Sequence, residues 1–412
     1  MFIDNFISKY SMRLAKRYLT FEDSSTIPPP KSDKSNPLLL YIHIPFCEQL
    51  CPYCSFFRIK FEHDLASKYF DALENEIKRY HNLGYNFNAV YIGGGTPTIM
   101  PNRLARIVKC IRNNWEIKQL SVETNPNHLK PDIIQILKNA GTNRLSIGVQ
   151  TFNNEILDSI QRLEKYGTGE EIKKMISSVV GIFDTINIDM IFNFPKQNEQ
   201  MLSEDIDFIK NIHPDQVTYY PLIASESKKK EITEKCGTID YKNEKNLYKI
   251  LVKQLTEKYK QESIWCFSKK KGLIDEYIVD HNEYIGIGAG AMGYIRGTLY
   301  FNTFSIRQYI RMANQNIPTV TATRRFSNIE RMRFHFLLQL LAGNLNIPDM
   351  KQKFGRLFMI ALTPELLFFT VNRAITFKNN SIQLTPKGRY YWVILMRSLF
   401  SVVGDYRQSQ MS

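Results

Sequence analysis

The feature that most constrains this chain is a regular alternation of strand and helix patterns from residue 38 to residue 222. LLLYIHI (38–44) is a continuous apolar run of strand length. Residues 62–80 then repeat Ala66, Tyr69, Phe70, Leu73, Ile77 and Tyr80 at a helical period. NAVYI (88–92) is a second strand, and Pro101 opens a second helix. QLSVET (119–124), RLSIGV (144–149), INIDMIF (186–192) and QVTYYPL (216–222) continue the strands. Helical stretches stand between them at 131–139, 153–160, 169–180 and 203–212, and another follows at 243–260. Strands buried on both faces and separated by helices predict βα units around a mostly parallel sheet.

Outside this repeat the texture changes. Residues 1–20 read as an amphipathic helix rather than a cleaved leader, because they lack a sustained apolar stretch and a small-residue cleavage site. FEDSSTIPPPKSDKSNP (21–37) reads as a connector. Beyond 320, ERMRFHFLLQLLAGN and LTPELLFFTVNR read as helices, AITFKNNSIQLTPKG as a hairpin around an Asn-rich turn, and RYYWVILMRSLF as a closing helix. The expected divisions are therefore 1–37, 38–320 and a small winged-helix-like unit at 321–412. No stretch of 18 residues is continuously apolar, so no membrane span is expected.

Three of the six cysteines fall within eight residues, in CEQLCPYC (47–54) directly after the first strand. Six cysteines in 412 residues is far from a disulfide framework and fits a reducing, cytoplasmic setting. Three thiolates at Cys47-x3-Cys51-x2-Cys54 are soft ligands. A structural zinc needs a fourth ligand, and neither His43 nor His63 is well spaced to supply it. A [4Fe–4S] cluster held by three cysteines keeps one iron open to another ligand. On spacing alone both metals remain open, with the cluster favoured.

YIHIPFCEQLCPYCSF, YIGGGTPT, SVETNPNHL, NRLSIGVQTFN and NIDMIFNFP together resemble the radical S-adenosylmethionine (SAM) superfamily. Within it they resemble the branch of oxygen-independent coproporphyrinogen III oxidase, over about residues 38–310. The resemblance implies a partial (β/α)6 barrel with a [4Fe–4S] cluster on Cys47, Cys51 and Cys54, and SAM on the open iron. It implies reductive cleavage of SAM to a 5′-deoxyadenosyl radical, with electrons from a low-potential donor such as flavodoxin or ferredoxin. It also implies cofactor contacts. Gly93, Gly94, Gly95 and Thr96 would bring backbone close to the methionyl ammonium. Glu123, Gln150 and Asp189 would face the ribose or methionine, and Arg162 the carboxylate. Tyr41, Phe56 and Met292 would cover the site, and Tyr294, with Tyr300 and Asn302, would shape a substrate pocket.

Departures narrow the function. Cys54 is followed by Ser55, where the decarboxylase carries a further cysteine, and GIGAGAMG (286–293) has Met292 where histidine is usual in the branch. These favour an enzyme using one or two SAM molecules for methyl or alkyl transfer to an anionic small molecule such as a tetrapyrrole. Haem binding or trafficking, and porphyrinogen decarboxylation, are the alternatives. The net charge of +14 (54 Lys+Arg against 40 Asp+Glu) suits an anionic ligand. It leaves peripheral membrane contact open. No nucleic-acid module is recognisable, and a monomer is expected.

Overall fold

A computed structural model describes residues 2–22, 37–270, 281 and 283–411. Most of the connector at 21–37 and much of the stretch 265–305 singled out above (271–280 and 282) lie outside the described residues. Six strands follow the predicted order: β1 Leu38–Ile44, β2 Phe87–Gly94, β3 Gln119–Thr124, β4 Arg144–Gln150, β5 Thr185–Phe192 and β6 Gln216–Pro221. Each pairs in parallel with the next. Every residue of β1 is buried, because helices cover one face and the barrel interior the other. Leu38, Leu40, Ile42 and Ile44 join the main core, whereas Leu39 and Tyr41 join a second, aromatic-rich cluster inside the barrel.

Six further strands extend the sheet: β7 Lys260–Gln261, β8 Cys266–Ser268, β9 Tyr284–Ile287, β10 Met292–Ile295, β11 Thr298–Asn302 and β12 Val320–Arg325. The full order is β12-β11-β10-β9-β1-β2-β3-β4-β5-β6-β8-β7. The sheet is thus an open, partial α/β barrel. β9 lies parallel to β1, giving a seventh parallel strand, and the outer strands on both sides are antiparallel. The sheet runs past residue 320, since β12 pairs with β11.

The C-terminal unit contains helices Asn328–Gln339, Ile347–Phe354 and Thr363–Val371 and a small sheet of β13 Asn344–Asn346, β14 Ile375–Lys378 and β15 Ser381–Leu384. The order β13-β15-β14 places the hairpin as in a winged helix. Asn379 and Asn380 both take positive φ (50° and 55°) at its tip, as a tight two-residue turn requires. The last helix, Pro386–Ser409, runs back along the barrel. The N-terminal helix Phe2–Tyr18 docks on it through Ser8–Ser398 (2.9 Å) and Ser11 donating to the Leu395 carbonyl (2.6 Å). No described helix is long and apolar enough to cross a membrane.

Candidate active site at the barrel mouth

Chain direction sets the site. Parallel strands release their loops at one rim, and the signature residues sit there: Cys47 after β1, Gly93–Thr96 at the end of β2, Glu123 and Asn125 at the end of β3, Gln150 ending β4, and Asp189 in β5. Interior positions near this rim, Glu123, Gly148, Gln150, Asp189, Ile191 and Tyr220, are only half-buried. The barrel mouth is therefore not sealed over these side chains.

The cysteine loop is tied down from several sides. A two-residue parallel ladder joins Phe46–Cys47 to Ile59–Lys60. Arg58 donates through Nη2 to the Cys51 carbonyl and to the Cys54 carbonyl (3.1 Å). The Gly95 and Thr96 amides donate to Ile44 O and Phe46 O, both at 2.8 Å. A Cβ on Gly95 would stand 2.6 Å from Phe46 O and 3.0 Å from Cys47 Sγ. Only glycine allows this approach, since real Cβ contacts do not reach such distances.

A polar chain links two of the thiols. Thr96 Oγ1 donates to Cys47 Sγ (3.7 Å), and Asn125 Nδ2 donates to Thr96 Oγ1 (2.9 Å). Arg162 reaches Asn125 Oδ1 (3.3 Å), the Gly148 carbonyl (2.5 Å) and Cys51 Sγ (3.8 Å). Its guanidinium lies 4.0 Å from the Tyr166 ring centroid. Arg162 is 3% exposed, and its Nε is buried without a hydrogen-bond partner. A buried cation with a spare donor beside a thiol suits an anionic group in that space. The donor chemistry fits a cluster as well. Burial, together with the neighbouring Cys54 thiol, pushes the Cys47 thiol up to about 11, so a bound metal is what would hold this thiolate ionised. The cysteines fit a group in which each binds a different iron.

The remaining sequence candidates fall into three groups. Glu123 and Asp189 stand half-buried at this rim. Glu123 accepts from Tyr91 OH (2.8 Å) and the Gly94 amide (3.0 Å), and a Cβ on Gly93 would sit 2.7 Å from its carboxylate. Asp189 accepts from Ser146 Oγ (2.7 Å) and Asn187 Nδ2 (2.8 Å). Gln150 takes φ 78° where the β4–β5 register shifts, a left-handed conformation that a side chain adopts only when its surroundings hold it. Tyr41 lies behind this set. Its hydroxyl donates to His43 Nδ1 (2.9 Å), and His43 Nε2 donates to Phe57 O (2.8 Å). Burial pushes the His43 imidazole down to about 4, which keeps it neutral in that relay.

A second group braces the 286–293 loop instead of lining a pocket. Asn302 Nδ2 donates to the Gly286 and Gly288 carbonyls (3.2 and 3.0 Å), and Tyr300 OH accepts from the Gly286 amide (3.0 Å). Met292 is half-buried against the interior aromatic cluster. Tyr294 is the third case. Its ring packs with Phe326 and Phe334, with centroids at 5.7 and 4.7 Å, and it shares a small cleft with Arg331 and His335. These contacts include none with the cysteine loop, and Tyr294 meets the site only through the interior aromatic cluster that it shares with Tyr41, Tyr91 and Tyr284. Phe56 is 52% exposed, whereas its neighbour Phe57 is buried. Asn125 and Arg58 were missed in the sequence. Asn125 lies inside the SVETNP motif at a strand end, a position that could have flagged it. Arg58 gave no comparable signal.

An open parallel barrel with three cysteines in this spacing at its rim defines a class, the proteins that hold a [4Fe–4S] cluster and SAM. The comparisons agree: the model of the Radical SAM superfamily matches residues 41–209. The heme chaperone HemW of Lactococcus lactis is 30% identical over 288 residues, covering 66% of this chain and 74% of that protein. HemW of Bacillus subtilis is 27% identical, covering 85% of this chain and 95% of that protein. The solved coproporphyrinogen III oxidase (HemN) of Escherichia coli shares the fold with a TM-score of 0.75 at 21% identity, over 96% of this chain and 93% of its own. The chain belongs to the radical SAM superfamily, in the branch of HemW and HemN.

Proposed function

We propose that this chain is a haem-handling protein that keeps the radical SAM cofactor site. The observation that carries the reading is the near end-to-end correspondence with a relative named heme chaperone, 85% of this chain against 95% of that one. Methyl or alkyl transfer, favoured by the sequence departures at Ser55 and Met292, has less support than haem carriage.

In this reading Cys47, Cys51 and Cys54 hold the cluster. Arg162, Glu123 and Asp189, with the Gly93–Thr96 backbone and Gln150, would hold SAM at the half-open barrel mouth. Bound there, the cluster and SAM together would supply a 5′-deoxyadenosyl radical, and a low-potential flavodoxin or ferredoxin would be the electron source. The protein's own part is positional. Arg162 offers a fixed charge to a carboxylate, Glu123 is fixed by Tyr91 and Gly94 as an acceptor, and the neutral His43–Tyr41 pair excludes water behind them.

The test is anaerobic reconstitution with iron, sulfide and SAM, followed by haem titration read by absorption. Stoichiometric haem uptake without methylated product is expected. Release of S-adenosylhomocysteine with no haem uptake would reinstate methyl transfer.

A further inference from the structure

The last turns of helix Pro386–Ser409 are wedged into the barrel mouth beside the cysteine loop. A Cβ on Gly404 would stand 3.0 Å from Ser55 Cβ and 3.1 Å from Ser225 Cβ, so the helix backbone touches the residue after Cys54. Ser401 Oγ donates to Ala224 O (2.9 Å), and Asp405 accepts from the Ser227 amide (3.0 Å) and hydroxyl (3.1 Å). Tyr406 packs on Phe301 and Phe21 (centroids 5.1 and 4.8 Å). These contacts fix the rotation of the helix.

That rotation turns Arg407 toward the mouth. Its guanidinium lies 5.1 Å from the centroid of the half-exposed Phe56 ring, and its charge acts on Tyr41, His43 and Tyr284 inside the barrel. A half-buried guanidinium over a half-exposed aromatic ring, at the barrel rim, is a recognition element for a planar ligand that carries carboxylates. The Phe56 ring offers a flat apolar face beside the charge, so the apolar and the charged parts of such a ligand would both be met. We infer that Arg407 anchors a carboxylate of a tetrapyrrole held beneath the C-terminal helix. This rests on the haem-handling reading and adds the residue and the ligand group. The methionyl carboxylate of SAM is the other source of the same chemistry, and Arg162 already stands beside the cluster to serve it.

The test compares the reconstituted wild type with Arg407→Gln and Arg407→Lys, using haem, haem dimethyl ester and SAM as ligands, with thermal melts to show that each variant folds. Haem affinity should fall about ten- to a hundredfold in Arg407→Gln, the usual loss for a charge-assisted hydrogen bond. Arg407→Lys should fall less. The dimethyl ester should bind wild type and variants alike, and SAM affinity should not change. Equal haem binding by wild type and Arg407→Gln would overturn the inference while leaving haem handling intact. A loss of SAM rather than haem affinity would overturn it in favour of the methionyl carboxylate. A wild type that takes up neither haem nor its ester would overturn the haem reading itself and this inference with it.

Discussion

At the scale of single residues the cluster loop depends on what is missing at Gly95. A methyl there would collide with Phe46 O at 2.6 Å and crowd Cys47 Sγ at 3.0 Å. The Phe46 carbonyl is held by the Thr96 amide and cannot move freely, so the cysteine loop must give way. Gly95→Ala should cost about 1–3 kcal/mol of stability, as overpacking does, and should lower iron and sulfide content per chain in reconstituted protein. Unchanged iron loading would show that the loop has slack. Arg58 makes the complementary prediction. Removing its two hydrogen bonds to Cys51 O and Cys54 O in Arg58→Ala should loosen the loop and also reduce iron loading, with the absorption of the cluster as the readout. The cysteines, the glycines and Arg162 were legible in the sequence because spacing and family motif mark them. Asn125 carried a signal in its motif position, whereas the importance of Arg58 arises only when the loop folds back so that its guanidinium meets Cys51 O and Cys54 O.

At the scale of elements the glycine loop 286–293 is held by helix His63–Asn82 through one buried carboxylate. Glu76, 1% exposed, accepts from the Gly288 amide (2.9 Å), Tyr309 OH (2.7 Å) and Thr319 Oγ1. Burial raises its carboxyl above the usual range, against those three donors. Glu76→Ala would strand three buried donors, each costing about 1–3 kcal/mol. A destabilisation of roughly 3 kcal/mol or more is expected, with faster amide hydrogen exchange at Gly288 and Ala289. Glu76→Gln, which keeps an acceptor, should lose less. Slow exchange in Glu76→Ala would mean that Tyr300 and Asn302 suffice to hold the loop. Element type was read well from the chain, because strands buried on both faces and helices with one apolar face carry separate periods. The addition of β9 beside β1 was not readable. That pairing joins residues far apart in sequence through a glycine-rich strand with no period of its own, YIGI.

At the scale of the whole molecule, the barrel wall is tied together by a carboxylate that should make stability depend on pH. Asp205, on helix Glu199–Ile212, accepts from the Phe152 amide (2.7 Å) and Thr151 Oγ1 (2.8 Å) just beyond β4, and from Tyr219 OH (3.5 Å) in β6. It joins one helix to two strands. Burial pushes its carboxyl up to about 7 despite these donors. Because the folded value lies above the unfolded one, the folded chain holds a proton that the unfolded chain has released between about pH 4 and 7. Folding stability from this group therefore falls as pH rises through that window and levels off above 7. Each unit of pH inside the window is worth about 1.4 kcal/mol. Asp205→Asn keeps an oxygen for the Phe152 amide but cannot titrate. The stability of wild type relative to this variant should fall by about 2 kcal/mol between pH 5 and 7, measured as the difference in urea midpoint under anaerobic conditions. Other buried carboxyls, Glu76 and Glu244, are raised as well, but they are common to both proteins and cancel in the difference. A difference that stays flat from pH 5 to 7 would mean that Asp205 is already ionised in the folded barrel, held so by its three donors.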